Sequence, residues 1–203
     1  MKVTVLGASG RAGSEIVKEL ARRGHTVTAV ARRPERVPAA PSVTAVTGDV
    51  NQPDTLAPAL NGADAVVSAI MFVDSDPAVL IKAVKDAGVP RYLVVGGAGS
   101  LEVAPGQALI DTPGFPDAYR AEAEAGGRFL ETLRAEPELD WTFLSPSAVF
   151  DGSDRTGVFR LGGDALLSDD QGNSRITFPD YAIAMVDEIE TPRHPRARFT
   201  VGY

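Results

Sequence analysis

The sequence contains no cysteine. Disulfides, thiolate metal sites, iron–sulfur clusters and cysteine nucleophiles are all excluded by that one absence. Histidine is nearly as scarce: His25 and His194 are the only two, far apart in the chain, so no metal site is expected. No stretch approaches the roughly 18 apolar residues of a membrane-spanning helix. The chain opens on an apolar strand, Lys2–Leu6, with no charged leader ahead of a long apolar run. A cytoplasmic protein without a membrane partner is the expectation. Positive charge is also in deficit, with 20 Lys and Arg against 27 Asp and Glu for a net charge of −7. The basic residues are scattered, so the contiguous positive surface that nucleic acid requires is missing. Arg32, Arg33 and Arg36 are too few to track a phosphate backbone and suit a single phosphate better.

What is present is an ordinary globular composition, 44% hydrophobic and 23% charged over 203 residues, which fits one domain. Short apolar runs alternate with helical patterns. The expected strands are Lys2–Gly7, Thr26–Ala31, Val43–Thr47, Ala63–Ile70, Tyr92–Val95 and Trp141–Leu144. Between them, helices are expected over Arg11–Arg23, Pro53–Leu60, Pro77–Ala87 and about Asp117–Ala135. In the first, Ile16, Val17, Leu20 and Ala21 fall at helical spacing and Gly24 sits where a C-cap belongs. Strands rich in Val and Ala, alternating with helices, predict a doubly wound, mostly parallel sheet of the Rossmann kind. Residues 1–149 form this core. Residues 150–203 read as a small substrate-side cap with a helix over Pro179–Ile189 and a closing strand over Arg198–Tyr203.

The first strand and first helix are joined by Gly7-Ala8-Ser9-Gly10-Arg11-Ala12-Gly13. Gly7 permits the tight turn out of the strand, Gly10 lets backbone approach a pyrophosphate, and Gly13 allows helix to pack on strand. The helix start then presents free N–H groups to the anion. The spacing is G-x-x-G-x-x-G instead of the commoner G-x-G-x-x-G. Its position between strand and helix makes it a dinucleotide cradle involving Gly7, Ser9, Gly10, Arg11, Ala12 and Gly13; a purely structural turn is the alternative.

The second strand selects the cofactor. NAD sites usually place Asp or Glu about 20 residues past the glycines to bind the ribose 2′-hydroxyl. Here the strand ends Ala31-Arg32-Arg33, offering two guanidiniums to a 2′-phosphate. NADPH is therefore expected in preference to NADH, the alternative being a solvated pair of arginines. Asp49 and Val50 after the third strand stand where the adenine would lie, although Asp49 is as well suited to capping its own turn. Ala69 and Ile70 end the fourth strand and should run along the cofactor. Met71 and Phe72 follow, as a floor for a flat ring or as plain core. Trp141 and Phe143 read as core, His25 as a surface residue, and His194 as part of a polar loop.

GASGRAG, ARR after strand two, GDV after strand three, GGAGSL after strand five and LSPS after strand six together resemble the atypical short-chain dehydrogenase/reductase superfamily. Within it, the chain is most similar to small NAD(P)H-binding proteins of the NADH-flavin reductase and biliverdin reductase B kind. The resemblance spans essentially the whole chain. It implies a reductase acting on a small-molecule acceptor, with Ser100 and Tyr119 orienting substrate and Ser145 and Pro146 contacting the nicotinamide. It implies nothing firm about assembly, and either a monomer or a homodimer is compatible. One departure stands out. Catalytic members carry Tyr-x-x-x-Lys, and the segment here is Tyr119-Arg120-Ala121-Glu122-Ala123. Without the lysine, a tyrosine with pKa near 10 is a poor proton relay at neutral pH. Hydride delivery to a flavin or quinone needs less such help. A non-catalytic NADPH sensor and a sugar-nucleotide epimerase or dehydratase are the alternatives, the last disfavoured by the short C-terminal part.

Overall fold

A computed structural model describes residues 1–203. Its first half runs β1 (Lys2–Leu6), α1 (Arg11–Arg22), β2 (Thr26–Ala31), β3 (Val43–Thr47), α2 (Ala57–Leu60), β4 (Ala65–Ser68), α3 (Pro77–Asp86) and β5 (Arg91–Val95). A hairpin of β6 (Glu102–Ala104) and β7 (Gln107–Ala108) precedes α4 (Asp117–Arg134) and β8 (Asp140–Ser145). The rest comprises β9 (Val149–Phe150), β10 (Arg160–Gly162), β11 (Arg175–Ile176), α5 (Phe178–Glu190) and β12 (Ala197–Gly202).

Eight strands form one sheet in the order β10-β12-β8-β5-β4-β1-β2-β3. All neighbours are parallel except β10, which runs antiparallel to β12. This is the doubly wound α/β fold of a single Rossmann-like domain. Alternation along β1 shows how sequence divides the two faces. Val3 and Val5 join a core with Ile16, Val17 and Leu20 of α1 and Met185 and Val186 of α5. Thr4 points the other way and donates its hydroxyl to the Ala59 carbonyl at 2.7 Å. Leu6 joins the opposite core with Leu80 of α3, Leu133 of α4 and Phe143 of β8.

Helix ends follow local chemistry. The Asp76 carboxylate accepts the Ala78 N–H at 2.8 Å at the start of α3, and Gly24 (φ +79°) supplies the left-handed residue after α1. The helix expected over Pro53–Leu60 is instead a tight turn, Pro53–Thr55, followed by the single turn of α2. Pro58 has no N–H to donate back along the ladder, so a continuous helix cannot form there.

Two further expectations change. His25 is not on the surface: it is 7% exposed, tucked under α5 with Nε2 2.8 Å from a Glu190 carboxylate oxygen. The turn after α1 directs the ring at the end of α5, a contact between residues too distant in sequence for pattern to show. The C-terminal quarter also divides. α5 and β12 are integral to the sheet and its helical layer, whereas residues 151–159 are irregular. That segment is held by Asp180, whose carboxylate accepts the Thr156 and Gly157 N–H groups and the Tyr203 hydroxyl at 2.7–3.1 Å. No helix is long and apolar enough to cross a membrane.

Chain order reverses between β1 and β4: β2 and β3 lie on one side of β1, and the chain then crosses to β4 on the other. The carboxyl ends of strands at such a switch point leave a crevice between diverging loops, where ligands bind in this architecture.

Candidate functional site

A cavity of about 200 Å³ occupies that crevice. Four loops build it: Gly7, Ser9 and Gly10 after β1, Ala31–Arg33 after β2, Gly48–Asn51 after β3, and Ala69–Met71 with Asp74 after β4. The structure thus brings together Gly7, Ser9, Gly10, Arg32, Arg33, Asp49, Val50, Ala69 and Ile70 from separate parts of the sequence.

The glycines are required by space. Gly7 has φ +78°, and a Cβ there would strike the Ala69 carbonyl and lie 2.8 Å from Ile70 Cδ1. A Cβ on Gly13 would run into the Gly7 carbonyl oxygen and lie 3.2 Å from Ala8 Cα, so α1 starts as close to β1 as backbone permits. At its amino end α1 has no side-chain cap and no acidic residue in its first turn. The leading N–H groups of a helix lack internal partners, and here no side chain caps them. Arg11, Ala12 and Gly13 supply them, standing just beyond the cavity lining. The Arg11 guanidinium rests over the Phe178 ring, 5.3 Å from its centroid.

Arg32 and Arg33 are exposed at the mouth. None of the molecule's ion pairs engages either guanidinium. Asp49 caps its own turn and also faces the cavity. One carboxylate oxygen accepts the Asn51 N–H at 3.0 Å, and the residue still lines the cavity.

The residues expected to handle substrate are not gathered here. Tyr119 is 66% exposed and borders neither this cavity nor the second one. Ser100 lines that second cavity, an open groove of about 700 Å³ beside α4, and its hydroxyl accepts from Arg198 Nη1 at 3.3 Å. The loop after β5 approaches α4 tightly there: a Cβ on Gly99 would lie 2.7 Å from the Ala123 Cβ, and Ala123 lines the same groove as Ser100. Ser145 and Pro146 are buried at the end of β8. The Ser145 carbonyl accepts the Thr200 hydroxyl at 2.9 Å, and its own hydroxyl has no partner. Phe72 turns away from the cavity into the core, stacked on Phe143 with ring centroids 5.9 Å apart. Met71, 55% exposed, remains on the cavity rim.

Three contributors were invisible in the sequence. Asn51 and Asp74 line the cavity and are joined by a hydrogen bond from Asn51 Nδ2 to the Asp74 carbonyl at 3.1 Å. Glu122, from the middle of the modified Tyr-x-x-x-Lys segment, accepts the Phe72 and Val73 N–H groups at 2.7 and 3.0 Å. Only the adjacency of Asn51 to Gly48-Asp49-Val50 offered a hint; nothing local pairs Glu122 with residues some 50 positions earlier.

A model of the NAD(P)H-binding family matches residues 7–192. The chain belongs to that family. Its likeness to the atypical short-chain dehydrogenase/reductases is thereby explained along nearly the full length. Among members with whole-chain similarity is the uncharacterized protein YwnB of Bacillus subtilis (strain 168). It is 42% identical over a 212-residue alignment covering 99% of this chain and 98% of YwnB. A Bacteroides thetaiotaomicron protein provisionally named an epimerase superposes with a TM-score of 0.93 at 42% identity, over 100% of this chain and 96% of that one. A Streptococcus pneumoniae TIGR4 protein provisionally named an NADH-flavin reductase gives 0.85 at 36% identity, over 100% and 99%. The NAD(P)H-binding match includes every loop of the β1/β4 crevice.

Proposed function

We propose that this chain is an NADPH-dependent reductase whose acceptor is a flat, conjugated molecule such as a flavin or quinone. The observation that carries the cofactor reading is the pair of unpaired guanidiniums, Arg32 and Arg33, at the mouth of a cavity floored by the glycine turn. A 2′-phosphate would meet the guanidiniums there, and no carboxylate from the end of β2 competes for a ribose hydroxyl. Gly7, Gly10 and the uncapped start of α1 would take the pyrophosphate, because backbone can approach it closely and N–H groups face it. Asp49 and Val50 would border the adenine, and Ala69 and Ile70 the middle of the dinucleotide.

NADPH, when bound, supplies hydride. The chain's part is to hold it and exclude water. No proton relay supports alcohol–ketone chemistry, since Ala123 replaces the lysine and Tyr119 points into solvent. An acceptor that takes hydride without a precisely placed acid fits these residues better. The same feature makes an NADPH-binding sensor the second reading. An epimerase, the provisional name of the Bacteroides thetaiotaomicron relative, is less favoured, because the Tyr-x-x-x-Lys pair is incomplete and Tyr119 does not line the crevice.

The deciding measurement follows reduced-nicotinamide absorbance of NADPH with a panel of flavins, quinones and aliphatic carbonyls. Turnover with flavins or quinones and not with carbonyls is expected. Tight NADPH binding with no turnover on any acceptor would sink the reductase reading in favour of the sensor.

A further inference from the structure

Between the cavity and α4 lies the turn Met71–Asp74, fixed at three points. The Phe72 ring fills a slot against Gly126 of α4, where a Cβ would lie 2.9 Å from the ring, and packs on Phe129 and Phe143. The Asn51 amide holds the Asp74 carbonyl at 3.1 Å from the far side. The Glu122 carboxylate binds the Phe72 and Val73 N–H groups at 2.7 and 3.0 Å. The turn's own bonds, Asp74 N–H to the Met71 carbonyl at 3.1 Å and Ser75 N–H to the Phe72 carbonyl at 3.3 Å, hold its carbonyls. The Phe72 and Val73 N–H groups are held by the carboxylate, through two charge-assisted hydrogen bonds, the stronger kind. From this one turn Met71 and Asp74 reach the cavity.

We propose that Glu122 is a positioning residue for the cofactor. By holding the amides of Phe72 and Val73, it fixes the wall that Met71 and Asp74 present to the dinucleotide. The segment that in similar enzymes supplies a proton relay here supplies a clamp. The inference rests on the reading of the cavity as an NADPH site.

The test compares NADPH dissociation constants, measured by reduced-nicotinamide fluorescence, for wild type, Glu122→Gln, Glu122→Ala and Leu133→Ala. Leu133 is a fully buried side chain of the same helix, about 16 Å along its axis from Glu122 at 1.5 Å per residue. Urea unfolding of each variant reports stability separately. Glu122→Gln keeps shape but presents an N–H₂ to one amide, and should weaken NADPH binding roughly three- to tenfold. Glu122→Ala should weaken it by more than about tenfold. Leu133→Ala should lower stability and leave the affinity of the folded protein unchanged. Wild-type affinity in the Glu122 variants, or an equal loss in Leu133→Ala, overturns the clamp. If Glu122→Ala does not fold, Glu122→Gln decides alone. If wild type binds no NADPH, the reading of the cavity falls and the inference with it; if wild type binds and the Glu122 variants bind equally, the inference alone falls.

Discussion

Gly13 lies against the carbonyl of Gly7 so closely that no side chain fits between them. An alanine at Gly13 would favour the helix on propensity alone, yet its methyl would force α1 away from β1. Gly13→Ala is therefore expected to destabilise the fold by about 1–3 kcal/mol, the usual cost of overpacking, and to weaken NADPH binding because the amides of α1 shift. Urea unfolding and a nicotinamide fluorescence titration on the same sample check both. A stabilised variant with unchanged affinity would contradict the reading of the turn.

The guanidiniums at the mouth yield a cofactor-selectivity prediction. Reversing charge in Arg32→Asp or Arg33→Asp should weaken NADPH by at least about tenfold, the equivalent of ~1.4 kcal/mol, and leave NADH nearly unaffected. Parallel titrations with the two cofactors read this out directly. Equal effects on both, or no preference in wild type, would refute the 2′-phosphate assignment.

At the opposite end of the sheet, Arg91 and Glu188 form a buried pair, with Nη2 and Oε1 2.8 Å apart and side chains 7% and 4% exposed. Glu188 also accepts the N–H groups of Arg193 and His194. Removing Glu188 leaves Arg91 paired only with Asp140 at 2.9 Å and the Arg193 and His194 amides without their acceptor, so Glu188→Ala should cost about 1–3 kcal/mol. Calorimetry or urea unfolding measures it; NADPH affinity of the surviving folded fraction should not move.

Three carboxylates, Asp180 and Glu19 buried and Glu190 exposed, predict the acid limit. At Asp180, burial works to raise the pKa, but hydrogen bonds from Thr156, Gly157 and Tyr203 overcome it and hold the group below the ordinary aspartate value. Burial likewise opposes Glu19, which Arg23 and Arg155 hold low, and Glu190, which Arg23 and His25 hold low. A carboxylate with a depressed folded pKa contributes stability that is complete above its unfolded pKa and is lost as pH falls through the folded one. Stability from these groups should be level near neutrality and decline below about pH 4. Asp180→Asn should lower stability at neutral pH and shrink that acid decline. A decline as steep as wild type would show that Asp180 is not its source.

Much of this architecture could be read along the chain because its signals are local. Strand and helix periods, the glycine turn, and arginines in place of an acid after β2 all act within a few residues, and the crevice gathers nine of the residues they indicated. What the sequence left open or misread has a different cause. His25 is buried by α5, the choice for Phe72 between ring floor and core is decided by its packing on Gly126 and Phe143, and Ser100 lies in the groove beside α4, bonded by Arg198. Each outcome depends on a partner far away in sequence, where periodicity carries no information. Glu122 went unnoticed for the same reason, although the segment containing it was singled out for the lysine it lacks.

The place of β12 bears on how the protein is made. Residues 197–202 slot between β8 and β10, so a ribosome must deliver them before the sheet can close. Until then β8 offers an open row of backbone donors and acceptors, flanked by Trp141, Phe143 and Leu144, all apolar and destined for the interior. A nascent chain paused short of residue 197 would present the kind of bare edge that chaperones bind and aggregates recruit.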